Sequence, residues 1–192
     1  MEGHGGEANL VLPSLDGVIL AGGLSGRLAL ILALGLCLAG LAFGGLVLVQ
    51  LRRLPTHPSM REIADLIYAT CRTYLLRQGR FLALLWVFIA AVIVAYYGAL
   101  MSLGVAKVAI IVAFSLLGMA GSYAVAWFGI RVNTYANARV AYASLSGKPL
   151  PQHRIPLRAG MSIGMVLISL ELALMLVILL FLPDGVAGAC FI

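Results

Sequence analysis

A single carboxylate, Glu171, lies inside a long apolar run from Met161 to Pro183. If this run crosses a membrane, the charge is costly, at roughly 2.5–3.5 kcal/mol by translocon scales for a central Asp. We therefore expect Glu171 to face protein and to be protonated or paired. Two roles remain open for Glu171. One is ion handling, which is the default hypothesis for an intramembrane ionisable residue; the other is a protonated carboxyl group hydrogen-bonded to a neighbouring helix.

The other residue types that carry chemistry are scattered. The cysteines and histidines have no metal-ligand spacing; they are Cys37, Cys71, Cys190, His4, His57 and His153. The sequence contains no P-loop, HExxH or GxSxG motif, and its seven acidic residues are dispersed. From the residues alone we assign no catalytic, cofactor-binding or metal-binding side chain.

The composition indicates the environment in which these residues act. Of the 192 residues, 62% are apolar and 10% are charged, whereas a soluble domain is about half apolar and about a quarter charged. A bilayer core needs about 20 apolar helical residues per span, and the alternation typical of a membrane barrel is absent. We predict an all-α integral membrane protein with four transmembrane helices at residues 28–51, 81–106, 108–130 and 161–183.

The basic residues predict the orientation of these spans. Eleven Lys and Arg residues fall in 52–80 and 131–158, and only Arg27 and Lys107 fall on the other side. The positive-inside rule makes the two basic loops cytoplasmic and places residues 1–27 and 184–192 outside. We expect a multi-pass protein of the cell (inner) membrane. The net charge of +6 then serves orientation, and we predict no nucleic-acid partner.

Each predicted cytoplasmic loop carries a helical pattern. Ser59 to Glu62 resembles a capping box, and apolar residues spaced three and four apart follow it, at Met60, Ile63, Ile67, Cys71 and Tyr74. This pattern predicts an amphipathic helix from Met60 to about Arg80 that continues into the second span. Both a helix packed on the bundle or the headgroups and a partner-binding helix remain possible.

The third helix is expected to continue past the membrane surface into 131–158. Asn133, Asn137 and Arg139 would then lie near the cytoplasmic mouth, with helix-end anchoring as the simpler role. Gly147 to Pro151 should end this helix, because proline lacks an amide donor and clashes with the preceding turn.

Small residues spaced four apart predict a tight bundle. Gly40 and Gly44 form a GxxxG pair in the first span, and Gly160 and Gly164 form another at the start of the fourth. Such residues let membrane helices approach closely where lipid offers no hydrophobic drive for association.

Two stretches closely resemble segments of the membrane-bound, ion-pumping pyrophosphatases. GIRVNTYANAR, from Gly129 to Arg139, resembles the third-helix segment of that family, and LRAGMSIGM, from Leu157 to Met165, resembles the start of the fourth helix. The first loop also fits, and the family usually has Lys where this chain has Arg131, which preserves the charge. The resemblance runs from about Met60 to Ile192, and the family-motif residues are Asn133, Asn137, Arg139, Arg158, Gly160 and Gly164.

The resemblance implies a dimeric pump of about sixteen helices in two concentric rings, which hydrolyses pyrophosphate with Mg2+ and moves H+ or Na+ outward. The four spans would belong to the outer ring, and the acidic motifs that bind Mg2+ and pyrophosphate would lie on later helices. The chain is then expected to be an N-terminal fragment that scaffolds the inner ring and has no catalysis of its own. A self-contained four-helix assembly subunit, or a small transporter that uses Glu171, is the alternative.

Overall fold

The computed structural model describes residues 25–102 and 104–181. Four long α-helices make up most of this part of the chain, α1 at Gly26–Arg53, α2 at Pro58–Ile93, α3 at Val105–Ser144 and α4 at Pro149–Phe181. Each is long and apolar enough to cross a membrane, which confirms the predicted all-α membrane fold with four spanning helices. The predicted outer tail at 184–192, and most of the segment at 1–27, lie outside the described residues.

Contacts divide the described residues into two units. Unit 1 contains 25–37, 83–120 apart from residue 103, and 171–181, whereas unit 2 contains Leu38–Leu82 and Gly121–Leu170. The core of unit 2 is formed by Val47 and Leu51 of α1, Val132 and Ala136 of α3, and Ala159 of α4. Small and β-branched side chains dominate this core, so the three helices approach each other closely there.

The core of unit 1 lies beside the turn between α2 and α3. A π-helical segment at Val94–Leu100 follows α2, and Ser102 has a positive φ of 51° before α3 begins. The predicted end of the second span at Ala106 therefore falls inside α3, whose first turn includes Lys107. The apolar composition continues through this turn, so hydropathy alone carries no signal for its position. Tyr97, Val108 and Ile111 pack together around it.

Helix α2 begins slightly before the position that the sequence indicated. Pro58 is its first residue, the Ser59 amide donates to Nδ1 of His57 at 3.3 Å, and the Arg61 amide donates to the His57 carbonyl at 3.0 Å. The expected capping box with Ser59 as its first member is thus wrong, because Pro58 occupies the first helical position and His57 caps it. From there α2 continues without interruption to Ile93.

Helices α3 and α4 both extend beyond the predicted spans. Helix α3 ends at Ser144, and Gly147 adopts a left-handed φ of 66° in the turn that follows. Helix α4 begins at Pro149, well before Met161. Proline is tolerated in a first helical turn because the amide it lacks has no partner there, so Pro149 starts a helix that also includes Pro156.

Candidate functional site

Arg139 of α3 is the most deeply buried charged group of unit 2, with 7% of its surface exposed. Its Nη1 donates to the main-chain carbonyl of Tyr135 and its Nη2 to that of Arg52, both at 3.0 Å. The Arg52 carbonyl lies in the last turn of α1, where carbonyls have no partner within the helix. Arg139 therefore caps α1 and joins it to α3. Burial lowers the pKa of Arg139, but a guanidinium remains protonated in proteins.

Arg131, two turns earlier on α3, is held by aromatic rings. Its guanidinium carbon lies 4.0 Å from the ring centroid of Tyr68 on α2 and 4.7 Å from that of Tyr135. The same Tyr135 ring is 4.9 Å from the guanidinium carbon of Arg139. Cation–π contacts of this kind fix a guanidinium without cancelling its charge, so Tyr135 separates two oriented positive groups.

Arg131, Tyr135 and Arg139 line a cavity of about 550 Å³, named here the arginine cavity. Its charged residues are Arg52, Arg61, Asp65, Arg131 and Arg139. The one ion pair recorded among them joins Arg61 Nε to Asp65 Oδ2 at 4.0 Å, between side chains that are 76% and 61% exposed. An exposed pair of this kind is weak, and the residues that line the cavity include four arginines and a single carboxylate.

Close packing of α1 on α4 supports this part of unit 2. A Cβ added to Gly40 would collide with the Ser169 side chain, and one added to Gly44 would collide with Val166 and lie 3.3 Å from the Ser162 carbonyl. Ser162 is completely buried, and its hydroxyl donates to a main-chain carbonyl of its own helix. The first GxxxG pair is therefore a helix contact.

The second predicted glycine pair behaves differently. A Cβ added to Gly160 or Gly164 would meet no described atom within 4 Å. Arg158, one turn before Ser162, is exposed, and its Nη1 donates to Gln50 Oε1 of α1 at 3.3 Å. These motif residues of α4 thus do not converge with Arg139 on the arginine cavity.

The remaining predicted residues are also apart from that cavity. Asn133 and Asn137 are exposed on α3, and Asn137 lines a separate cavity of about 230 Å³ together with Met60, Ile63 and other residues of α2 and α3. The predicted apolar stripe of α2 is largely exposed, since Ile63, Ile67 and Tyr74 are 60%, 46% and 67% exposed. Glu171 is exposed on α4 in unit 1, and no charged partner for it is recorded among residues 25–102 and 104–181.

The described residues do not suit a Mg2+ site. Within them, no group of three or more His, Cys, Asp or Glu side chains is placed to hold a metal ion. Mg2+ is bound through oxygen ligands, usually including carboxylates, and Asp65 is the only carboxylate beside the arginine cavity. The charged residues that line this cavity are thus mainly arginines.

Comparison with known proteins identifies the family. The sequence profile described as inorganic H+ pyrophosphatase matches residues 38–190. The chain belongs to this family. The resemblance carried by the third and fourth helices is thereby confirmed, and the chain is a multi-pass membrane protein of the inorganic H+ pyrophosphatase family.

Two curated relatives are much longer than the part of them that this chain matches. It is 60% identical over 156 residues to a K(+)-insensitive pyrophosphate-energized proton pump of Chlorobaculum tepidum, covering 81% of this chain and 21% of that protein. It is 35% identical over 139 residues to a protein of the same name from Pyrobaculum aerophilum, covering 70% of this chain and 19% of that protein. The chain thus spans about a fifth of the length of these relatives. No solved structure matches it significantly.

The sequence alone did not predict which residues line the arginine cavity. The pairing of Arg61 with Asp65 follows from their spacing of four on one helix, and Arg139 was placed near the end of α3. The approach of Arg52 and Tyr68 to α3 depends on how α1 and α2 pack, which no local pattern encodes. The excess of arginine in the two basic loops was the available signal, and it was read as orientation alone.

Proposed function

We propose that this chain forms the N-terminal, outer-ring part of a pump that couples pyrophosphate hydrolysis to the movement of H+ across a membrane. The observation that carries the proposal is the 60% identity over 156 residues to a relative named as a pyrophosphate-energized proton pump. Both relatives are named as proton pumps insensitive to K+, which supports H+ as the transported ion. In the complete pump, two copies would associate as a homodimer.

Within that pump the chain acts as a scaffold. Three acidic side chains fall among the described residues, Glu62, Asp65 and Glu171, and they form no cluster. Binding a transferring phosphoryl group requires concentrated positive charge from metal ions and basic side chains around it. We place Mg2+, the pyrophosphate molecule that is hydrolysed and the hydrolytic step on the rest of the pump, and assign to α1–α4 the support of those helices.

The activity of the chain alone tests this division of labour. The chain, purified in detergent and supplied with Mg2+ and pyrophosphate, should release no phosphate above a protein-free blank. The complete Chlorobaculum tepidum pump, prepared in the same detergent, is the positive control. Phosphate release by the chain that rises in proportion to its concentration would contradict the scaffold role.

The orientation is a second part of the proposal. We place the basic segments 52–80 and 131–158 in the cytoplasm and the N-terminus outside the inner membrane, since eleven of thirteen Lys and Arg residues fall in those segments. A cysteine-free background with Ser59→Cys or Ser102→Cys tests the orientation, because both serines are exposed. An impermeant maleimide applied to intact cells should label only Ser102→Cys. Labelling of Ser59→Cys alone would mean the reverse orientation.

A further inference from the structure

We propose that the arginine cavity binds a phosphate-type oxyanion, either the headgroup of an anionic phospholipid or free phosphate or pyrophosphate. The juxtaposition that carries this inference is four arginines from α1, α2 and α3 around one carboxylate, in a cavity of about 550 Å³. That volume lies within the range of about 300–1,000 Å³ in which small ligands bind. The inference does not depend on the proposed function, because it concerns only residues of unit 2.

The first supporting observation is that buried Arg139 and half-buried Arg131 are oriented by neutral partners. Arg139 is held by two main-chain carbonyls and Arg131 by two tyrosine rings. These partners fix the guanidinium planes but carry no negative charge of their own. Asp65 faces Arg61 at 4.0 Å, so the cavity retains an excess of positive charge that an anion would neutralise.

The second observation concerns hydrogen bonding. Arg139 lines the cavity and is more than nine-tenths buried. Its Nε is buried and has no recorded hydrogen-bond partner. A buried donor without a partner is unfavourable, because it has lost its hydrogen bonds to water. Arginine presents its N–H donors in a planar fork that matches phosphate oxygens. Each Nη of Arg139 carries one N–H beyond its bond to a carbonyl, so a phosphate group would meet both the positive charge and these donors.

The surroundings accommodate a phospholipid as well as a free anion. A second cavity of about 510 Å³ shares Leu54 and Arg139 with the arginine cavity, and carbon-rich side chains such as Leu145 and Ile155 line it. An acyl chain could lie there while its phosphate contacts the arginines. Basic pockets at the ends of transmembrane helices recognise anionic headgroups in this way.

Binding measurements on the full chain in phosphatidylcholine nanodiscs test the inference. In one arm, radioactive phosphate or pyrophosphate is added without divalent metal, and affinity is measured by equilibrium dialysis. In the other, nanodiscs contain a small fraction of phosphatidylglycerol, and native mass spectrometry counts the molecules retained by the protein. Binding confined to the first arm identifies a free anion as the ligand, and binding confined to the second identifies a lipid headgroup.

Variants connect the binding to the cavity. Arg61→Gln should weaken binding about fivefold, the value expected for one exposed charge, whereas Arg72→Gln, on the exposed face of the same helix, should leave it unchanged. Asp65→Asn should strengthen binding about fivefold, and a misfolded protein would not produce that gain. Arg131→Lys keeps the charge but loses the planar fork, and should weaken binding about tenfold.

Helix content measured by circular dichroism shows which variants fold. If Arg131→Lys fails to fold, the exposed positions Arg61 and Asp65 decide the result. The inference is overturned if neither ligand binds, if Arg61→Gln and Arg72→Gln bind equally, or if Asp65→Asn binds no better than the unchanged chain.

Discussion

The contact of α1 with α4 gives the sharpest structural prediction, because two adjacent glycines of α1 have opposite surroundings. A Cβ on Gly44 would collide with Val166 and lie 3.3 Å from the Ser162 carbonyl, whereas a Cβ on Gly45 would meet nothing within 4 Å. The substitutions Gly44→Ala and Gly45→Ala add the same atoms to the same helix. Their difference in stability therefore isolates the packing of α1 on α4.

The magnitude follows from two opposing effects. Replacing a glycine in a helix interior by alanine stabilises the helix by roughly 0.5–1 kcal/mol, and this gain applies to both variants. Overpacking a close contact typically costs about 1–3 kcal/mol. At Gly44 the neighbours yield poorly, because Val166 is β-branched and restricted in χ1 and the Ser162 carbonyl belongs to the main chain. We expect Gly45→Ala to be more stable than Gly44→Ala by about 1–3 kcal/mol.

The comparison can be made by reversible unfolding of the chain in mixed micelles, with sodium dodecyl sulfate as denaturant and far-UV circular dichroism as readout. The free energy of unfolding should be lower for Gly44→Ala than for the unchanged chain, and for Gly45→Ala it should be equal to or higher than that of the unchanged chain. Equal stability of the two variants, or a more stable Gly44→Ala, would refute the assignment of Gly44 to the helix contact.

Two further substitutions test side-chain hydrogen bonds of unit 2 by the same unfolding measurement. Arg139→Leu removes two charge-assisted hydrogen bonds, one of which caps α1, and should cost about 3 kcal/mol; Arg72→Leu, an exposed control, should change the stability by less than about 0.5 kcal/mol. Burial lowers the pKa of Arg139, so in strongly alkaline solution the unfolded chain would bind more protons than the folded one, and stability would rise with pH there. Arg139 stays protonated at lower pH, so the stability lost in Arg139→Leu should be constant between about pH 6 and about pH 9. Tyr123→Phe deletes a 3.0 Å hydrogen bond to a main-chain carbonyl of α2 and should cost about 1 kcal/mol, whereas the exposed control Tyr74→Phe should cost nothing measurable. A Tyr123→Phe chain as stable as the control would mean that this bond contributes nothing.

Much of the fold could be predicted because the bilayer imposes a simple rule on composition. A span needs about 20 apolar residues in a helix, and four runs of the sequence meet that requirement, as do the four helices of the structure. Helix ends were harder to predict. Pro149 reads as a helix breaker in sequence but lies at the start of α4, and the turn near Ser102 lies within continuous apolar sequence.

The candidate site shows the same division. The glycine pairs were equivalent in sequence, yet Gly40 and Gly44 contact α4 while Gly160 and Gly164 meet no described neighbour. Spacing tells which residues share a helix face, but it does not tell which face meets another helix. The family, by contrast, is recognised from the order of residues along the chain. Motif residues such as Asn133 indicated it although nothing was known of how the helices pack.

The sequence by itself determined the membrane environment, the four spanning helices, the charge bias of the loops and the family, because each depends on composition or on residues close together in the chain. Only the tertiary structure placed Arg52 of α1 and Tyr68 of α2 beside Arg131 and Arg139 of α3. Residues 87 positions apart in sequence, such as Arg52 and Arg139, meet there. They meet because α1, α3 and α4 pack closely through small residues. Arginines that the sequence alone explained by orientation thereby come to line one cavity, for which we propose an anion as ligand.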